Sequence, residues 1–347
     1  MATYYLPEAA LRKLLEGRED TLLFAPAETS GFTWLSTVDS EVSLEALAQP
    51  RSAQSPKGFF LPATESVGRY GPAGEAATAV ETARLVVLGV RACELRAREY
   101  LDKVLLGGTF EDPAYRERRE AVTVISCDCV SCAETCFCTL VGGKPYPQTG
   151  YDVNLTPLDG GYVAEVATEA GEKWLGDPKA VGAEDTNPQQ LAHRDEIRKE
   201  MVRRVSEQNA SFTFTVEDDK PTPLPNDGEE SWQRFAADCV ECAACTNICP
   251  TCHCFYLYDQ ALGPEAFERI RTWDSCLLSS YHRMAGGVHM KLTPRPKLFS
   301  RLANRILHKF TYSPEQYEQL GCVGCGRCVD ACLGAIDIRQ VVQELGQ

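Results

Sequence analysis

At 347 residues, 44% of them hydrophobic, the chain is long enough for two or three domains with their own cores. A formal net charge of -14 excludes nucleic acid as a default partner, because phosphate binding needs a field of the opposite sign. No stretch approaches the roughly 20 apolar residues that span a bilayer, and the start MATYYLPEAALRKLLEG lacks a basic region followed by an apolar run, so a soluble, cytoplasmic chain is expected.

In chain order, residues Pro7 to Leu15 suit a helix. RLVVLGV (Arg84 to Val90) and AVTVIS (Ala121 to Ser126) are short β-rich runs, and GYVAEVA (Gly161 to Ala167) alternates as a half-buried strand does. These signals predict an α+β domain over residues 1–190. Cys93 follows the first β-rich run closely and Cys127 follows the second directly. If the two strands are parallel neighbours, both cysteines sit at one carboxyl edge, where open α/β sheets place their ligand sites. CDCVSCAETCFC then adds Cys129, Cys132, Cys136 and Cys138. The best four-thiolate set is Cys93, Cys127, Cys136 and Cys138, with Cys129 or Cys132 as substitutes, and it predicts a third cluster or metal site. Buried unligated thiols and redox disulfide chemistry compete with that reading.

Residues 191–231 are expected to connect two domains: a solvated helix, Ala192 to Val205, and an acidic, proline-rich linker, Val216 to Ser231. From residue 232 to 347 cysteines are dense. The total of 17 in a reducing compartment points to ligation and not to disulfides. Cys239, Cys242, Cys245 and Cys249 form CxxCxxCxxxC followed by Pro250, and Cys322, Cys325, Cys328 and Cys332 repeat the spacing with Leu333 in the proline's place. This is the bacterial ferredoxin pattern, in which three thiolates of one run hold a [4Fe-4S] cube and the fourth crosses to the other cube. Cluster I is therefore expected on Cys239, Cys242, Cys245 and Cys332, and cluster II on Cys322, Cys325, Cys328 and Cys249. Structural zinc usually takes pairs a dozen or more residues apart, and disulfides across two-residue gaps are strained, so both rivals are weak here.

Between the runs lies an insert, 255–320, read as helical over Pro264 to Arg271 and Lys297 to Phe310. Its basic side chains, Arg295, Lys297, Arg301, Arg305 and Lys309, read either as a solvated face or as a dock for an acidic partner. Cys252, Cys254 and Cys276 have no evident owner, although TCHC (Thr251 to Cys254) echoes TCFC (Thr135 to Cys138). No GxGxxG follows a strand and no GxxxxGK[ST] occurs, so a flavin or nicotinamide site within the chain is not expected.

The motifs SPKGFFLPATE (Ser55 to Glu65), GVRACELRA (Gly89 to Ala97), TCFC, CxxCxxCxxxCPTCHCF, TWDSC (Thr272 to Cys276), HKFTY (His308 to Tyr312) and CVGCGRC (Cys322 to Cys328) together make a resemblance. The chain resembles the family of dicluster iron-sulfur subunits that includes the β subunit of cytoplasmic [NiFe] sulfhydrogenases and the dicluster subunit of anaerobic sulfite reductase. The resemblance implies two [4Fe-4S] clusters on the eight cysteines of the two runs. It also implies an electron-transfer subunit placed between a flavin-bearing diaphorase-like subunit on one side and a catalytic metalloenzyme subunit on the other. Cys129 and Cys132 read as additions to the family's loop. The expected fold class is α+β, an N-terminal α+β domain followed by a ferredoxin-like two-[4Fe-4S] domain with a helical insert. A catalytic subunit reducing a sulfur compound at a labile cluster and a free ferredoxin-like carrier are the alternatives.

Overall fold

The computed structural model describes residues 2–15, 21–27, 31–35, 44–71, 76–77, 83–214, 216, 219–222, 224–225, 229–282 and 293–346. Ten strands precede the first cysteine run: β1 (Ala2–Pro7), β2 (Leu22–Pro26), β3 (Phe32–Leu35), β4 (Thr64–Tyr70), β5 (Ala76–Ala77), β6 (Leu85–Val90), β7 (Val122–Cys127), β8 (Val153–Leu158), β9 (Gly161–Val166) and β10 (Glu184–Asp185). A hairpin, β11 (Phe255–Ala261) and β12 (Phe267–Trp273), follows that run. Eight strands form one mixed sheet in the order β10-β1-β9-β8-β7-β6-β2-β3, parallel through β2, β6, β7 and β8.

The near-continuous apolar runs of β6 and β7 belong to strands covered on both faces. On one face Val86 and Leu88 of β6 join Ile125 and Cys127 of β7 and Leu11, Leu14 and Leu15 of the helix Glu8–Leu15. On the other, Val87 and Val90 join Val122 and Val124, with Leu95, Tyr100 and Leu101 of the helix Ala92–Leu106. As expected, β6 and β7 are parallel neighbours, so Cys93 and Cys127 leave the sheet at the same edge. They do so on different sides of it, because successive side chains of a strand point to opposite faces.

The helix expected over Ala192 to Val205 extends from Pro188 to Gln208, opened by a capping box between Asn187 and Gln190. One face is docked and the rest is solvated, as expected. Arg198 donates to the buried Asp128 at 2.7 Å, Arg194 donates to Glu165 at 3.0 Å, and Met201 and Val205 are buried. Asp128 in turn accepts from Asn154 and Thr156, which fixes the helix against β8.

The insert differs from the expectation. Its stretch Pro264 to Arg271 is not helical, because residues 267–273 form β12, paired antiparallel with β11 on one side and with β4 on the other. Local helix formers are overridden by pairing and by a buried ion network: Arg271 donates to Glu65 of β4 and reaches Asp112, while Arg118 also reaches Glu65. The resulting four-stranded sheet, β11-β12-β4-β5, therefore takes two strands from each side of the expected boundary. The acidic linker is a strap: Val216 and Leu224 bury beside Trp232, Phe310 and Val341, and part of the segment lies outside the described residues. The expected helix at Lys297 to Phe310 is present as Leu298–Leu307, continuing through a π-helical turn, His308–Tyr312, and a further helix, Ile338–Leu345, closes the described chain. Among the described residues, no helix is long and apolar enough to cross a membrane.

TCFC is a second joint between the two halves, beside the β4–β12 pairing. Phe137 N–H donates to the Gly324 carbonyl at 2.8 Å, and the Phe137 ring sits in the core of the second half with Ile306, Phe310 and Ile338. Gly324 and Gly326 have φ of 66° and 72°, and a Cβ on either would collide with the backbone of Cys138 or Thr135. Gly326→Ala is therefore expected to destabilise the chain by about 1–3 kcal/mol in thermal unfolding under anaerobic conditions. Ala243→Gly, at the equivalent place in the first run, should lie within about 1 kcal/mol of the native chain.

Candidate functional site

The two cysteine runs adopt the same backbone. Glu241 and Ala243 have φ of 53° and 58°, matching Gly324 and Gly326, and each run continues into a single helical turn, Ala244–Asn247 or Arg327–Asp330. Left-handed residues at alternate positions curl the chain into a concavity of inward-facing amides, the geometry that suits an anionic sulfide cluster. The second run uses glycine because TCFC presses against it. The first carries Glu241 and Ala243 at positive φ, a strain that persists where surrounding structure fixes it.

The folded chain brings both expected crossed sets together. Cys239, Cys242, Cys245 and Cys332 line one cavity, which Cys328 of the other set also reaches and which Leu277, Leu302 and Ile336 close. Burial raises the pKa of Cys239, with Cys245, Cys332 and Cys242 adding to the shift. Cys249, from the first run, lies among Cys322, Cys325 and Cys328. Burial pushes Cys328 up to about 12, with Arg305 opposing and Cys249, Cys322 and Cys325 adding, and burial pushes Cys322 up to about 11. As protonated thiols these groups are neutral, so cluster ligation releases their protons and places anionic charge inside the protein.

Buried cations face that charge. On the helix Leu298–Leu307 and its π-turn, Arg301, Arg305 and Lys309 recur every four residues and form one ridge. It is neither the solvated face nor the partner dock that its basic pattern suggests. All three side chains are buried, because the ridge faces the cysteines. Lys309 Nζ donates to Cys249 Sγ at 3.3 Å, to Thr251 Oγ1 at 2.9 Å and to the Gly321 carbonyl at 2.8 Å. Arg305 lies between the two sets. Burial opposes its charge, yet Cys245, Cys328, Cys252 and Cys249 more than offset this and hold its pKa well above the usual value. Its Nε has no hydrogen-bond partner, and Arg327 Nη1 is the second orphaned guanidinium nitrogen beside the cysteines. Two buried, unpaired donors next to closely grouped thiols fit an anionic group that fills the space between them.

The surplus cysteines form pairs. Cys252 hydrogen-bonds to Cys249, and with Lys309 and Thr251 it holds the Cys249 thiol well below its usual pKa. Hydrogen bonds from the Cys276 thiol, the Tyr281 hydroxyl and the Cys276 N–H bring Cys254 down to about 6. Lys57, from SPKGFFLPATE, donates to the Cys252 carbonyl at 3.0 Å and lies 3.8 Å above the Trp273 ring, which accounts for that motif's place near TCHC. Among the described residues, no three Cys, His, Asp or Glu side chains converge as a single metal ion requires. Of the third expected set, Cys127 is buried in the sheet core with its thiol toward the Leu47 carbonyl, whereas Cys93, Cys136 and Cys138 lie beside the second run.

The buried charges have measurable consequences. Arg305→Gln should lower the midpoint potentials of both clusters on the order of 50–100 mV in anaerobic EPR titrations, since a unit charge several ångströms away at an effective dielectric of about 20 contributes roughly 2 kcal/mol. His308 is held down to about 4 by burial and by neighbouring His253 and Lys309. Its unfolded pKa is about 6.5, so the unfolded chain binds the extra proton in between and stability drops as pH falls from about 6.5 toward 4. His308→Gln should flatten that part of a denaturation profile measured against pH.

The 4Fe-4S dicluster domain family matches residues 238–336. Sulfhydrogenase 2 subunit beta of Pyrococcus furiosus is 26% identical over 345 residues, which cover 98% of this chain and 96% of that one. No solved structure matches the chain. Residues 238–336 thus match the 4Fe-4S dicluster domain family, and the chain is similar over nearly its whole length to a sulfhydrogenase β subunit.

Proposed function

We propose that this iron-sulfur subunit relays single electrons within a multisubunit redox complex of hydrogenase, sulfhydrogenase or sulfite reductase type, between a flavin-bearing subunit on one side and a catalytic metalloenzyme subunit on the other. The observation that supports the reading is proximity: Cys332 lies near Cys239, Cys242 and Cys245, and Cys249 near Cys322, Cys325 and Cys328, as crossed ligation of two clusters would need. When bound, a [4Fe-4S] cube supplies a one-electron redox centre, and the protein sets its potential through burial, net charge and hydrogen bonds to sulfur. The residues assigned to that task are Arg305, Lys309 and the amides of the two positive-φ turns.

A relay needs docking surfaces, and the hairpin supports one. β11 is the edge strand of its sheet, every residue of it is exposed, and Phe255, Tyr256, Leu257 and Tyr258 are consecutive. An uncovered edge with four large apolar side chains is a surface that proteins usually cover. It begins one residue after Cys254, so a protein seated there lies close to the cysteine runs. The occupant proposed for this edge is one of the partner subunits.

The ligand assignment is tested by single substitutions on anaerobically prepared protein. Cys332→Ser should lose or convert cluster I alone and Cys249→Ser cluster II alone, each with about four irons at stake. Loss of the opposite cluster's EPR signal in either variant would reverse the crossing. Tyr256→Lys combined with Tyr258→Lys should weaken co-purification with the partner subunits while leaving iron content unchanged.

A further inference from the structure

The sheet edge and the second cysteine run meet at a group of thiols that neither crossed set uses. We propose that Cys93, Cys129, Cys136 and Cys138 ligate a third iron-sulfur cluster, and that Cys127 is not among its ligands. The inference rests on the electron-transfer reading above and deepens it.

Cys127 is removed by strand periodicity. It follows Ile125 by two residues, so the two share the face of β7 that packs on Leu6, Leu11 and Leu155, and Cys127 has no solvent exposure. Two residues later the strand has ended. Cys129 N–H donates to the Pro145 carbonyl at 2.9 Å, and its side chain packs with Cys138, Met201 and Val205 on the other side of the edge. Cys93, in the first turn of the helix that follows β6, packs against Cys325, Val323 and Ala97. Cys93 and Cys138 line one cavity of about 400 Å³ with Arg96 and Gly143. Cys136 Sγ reaches the Cys325 carbonyl at 4.0 Å, and the Cys138 backbone lies against Gly324.

Cys129 is the common neighbour of the set. It packs with Cys138, and Cys93 and Cys136 are neighbouring thiols. Cys132 packs in the same group, but its thiol is engaged elsewhere, donating to Gln208 Oε1 at 3.3 Å. The second independent observation is Arg327. Its side chain is fully buried, Nη2 pairs with Glu94, Nε donates to the Ser52 and Ala53 carbonyls, and Nη1 is left without a partner. Its nearest thiols are Cys325 and Cys93. Arg327 thus stands to the third set as Arg305 stands to the first two, a buried cation with an unused donor between two groups of thiols. Four soft sulfur donors select an iron-sulfur cluster or zinc. The cavity of about 400 Å³ lined by Cys93 and Cys138 gives room for the larger group, whose sulfurs bind at separate corners.

The test is iron and acid-labile sulfide per chain in anaerobically purified full-length protein, with Cys129→Ser and Cys127→Ser beside the native sequence. Native protein and Cys127→Ser should carry about 12 irons, and Cys129→Ser about 8 with both dicluster EPR signals retained. About 8 irons in the native chain, or about 12 in Cys129→Ser, would overturn the third site as assigned. A loss of about four irons in Cys127→Ser would also overturn it. If Cys129→Ser does not fold, alkylation of the native protein decides. Cys129 should be protected until a chelator strips iron under folded conditions, and labelling of Cys129 before stripping sinks the assignment. Cys332→Ser tests the dicluster reading separately, since it should lose cluster I whatever the fate of Cys129.

Discussion

The fold depends on neutralising anionic charge inside a protein whose formal net charge is already -14. An unpaired buried charge costs several kcal/mol even after relaxation, so ligated thiolates need cations that are buried with them. The sequence supplies these from segments that also build the core. Arg305 and Lys309 come from the helix and π-turn whose other face carries Ile306, Leu307 and Phe310 into the hydrophobic cluster. Arg327 comes from the second run itself, and Arg51 donates to the Cys325 carbonyl from the first half. Core packing therefore positions the counter-charges, and a shift of that helix would displace both.

The same constraint explains why the two halves interlock. A diffusing two-cluster carrier can leave its runs near solvent, but here the second run is covered by TCFC, and the first is flanked by Lys57 and the β4–β12 pairing. The cover over the second run buries Cys322 and Cys325 and lowers the local dielectric, which strengthens the interactions between cation and thiolate there, whereas Cys242 of the first run is exposed. Glycine at 324 and 326 is the backbone condition for that cover. Where no loop presses, at 241 and 243, the same conformation is held without glycine.

Much of this is legible in the sequence. The fourfold cysteine spacing predicts the grouping of distant residues such as Cys239 and Cys332, because ligand geometry fixes it almost independently of the surrounding fold. The buried runs of β6 and β7, and their common edge, follow from apolar pattern. Three features do not. β12 is hidden because FERIRTW carries helix formers whose fate is decided by pairing with β4, a partner about 200 residues away. The inward direction of Arg301, Arg305 and Lys309 is hidden because a basic ridge on an acidic chain looks the same whether it faces water or a cluster. The face that Cys127 takes is not given by its place at the edge; it follows from counting two residues on from Ile125, into the core with Leu11 and Leu155.

Two of the ridge's three cations, Lys309 and Arg305, act differently, and the difference follows from their contacts. Lys309 places three donors on Cys249, Thr251 and Gly321, so its charge is spent on one thiolate and on the loop carrying it. Removing it leaves Cys249 without its direct counter-charge, a defect of cluster assembly. Arg305 donates weakly to the Cys245 carbonyl at 3.3 Å and keeps Nε unpaired, so it acts on both sets through its field. Its removal leaves the ligands in place and alters the energy of adding an electron to either side. One ridge thus separates holding a cluster from tuning it, with a single helical turn between the two tasks.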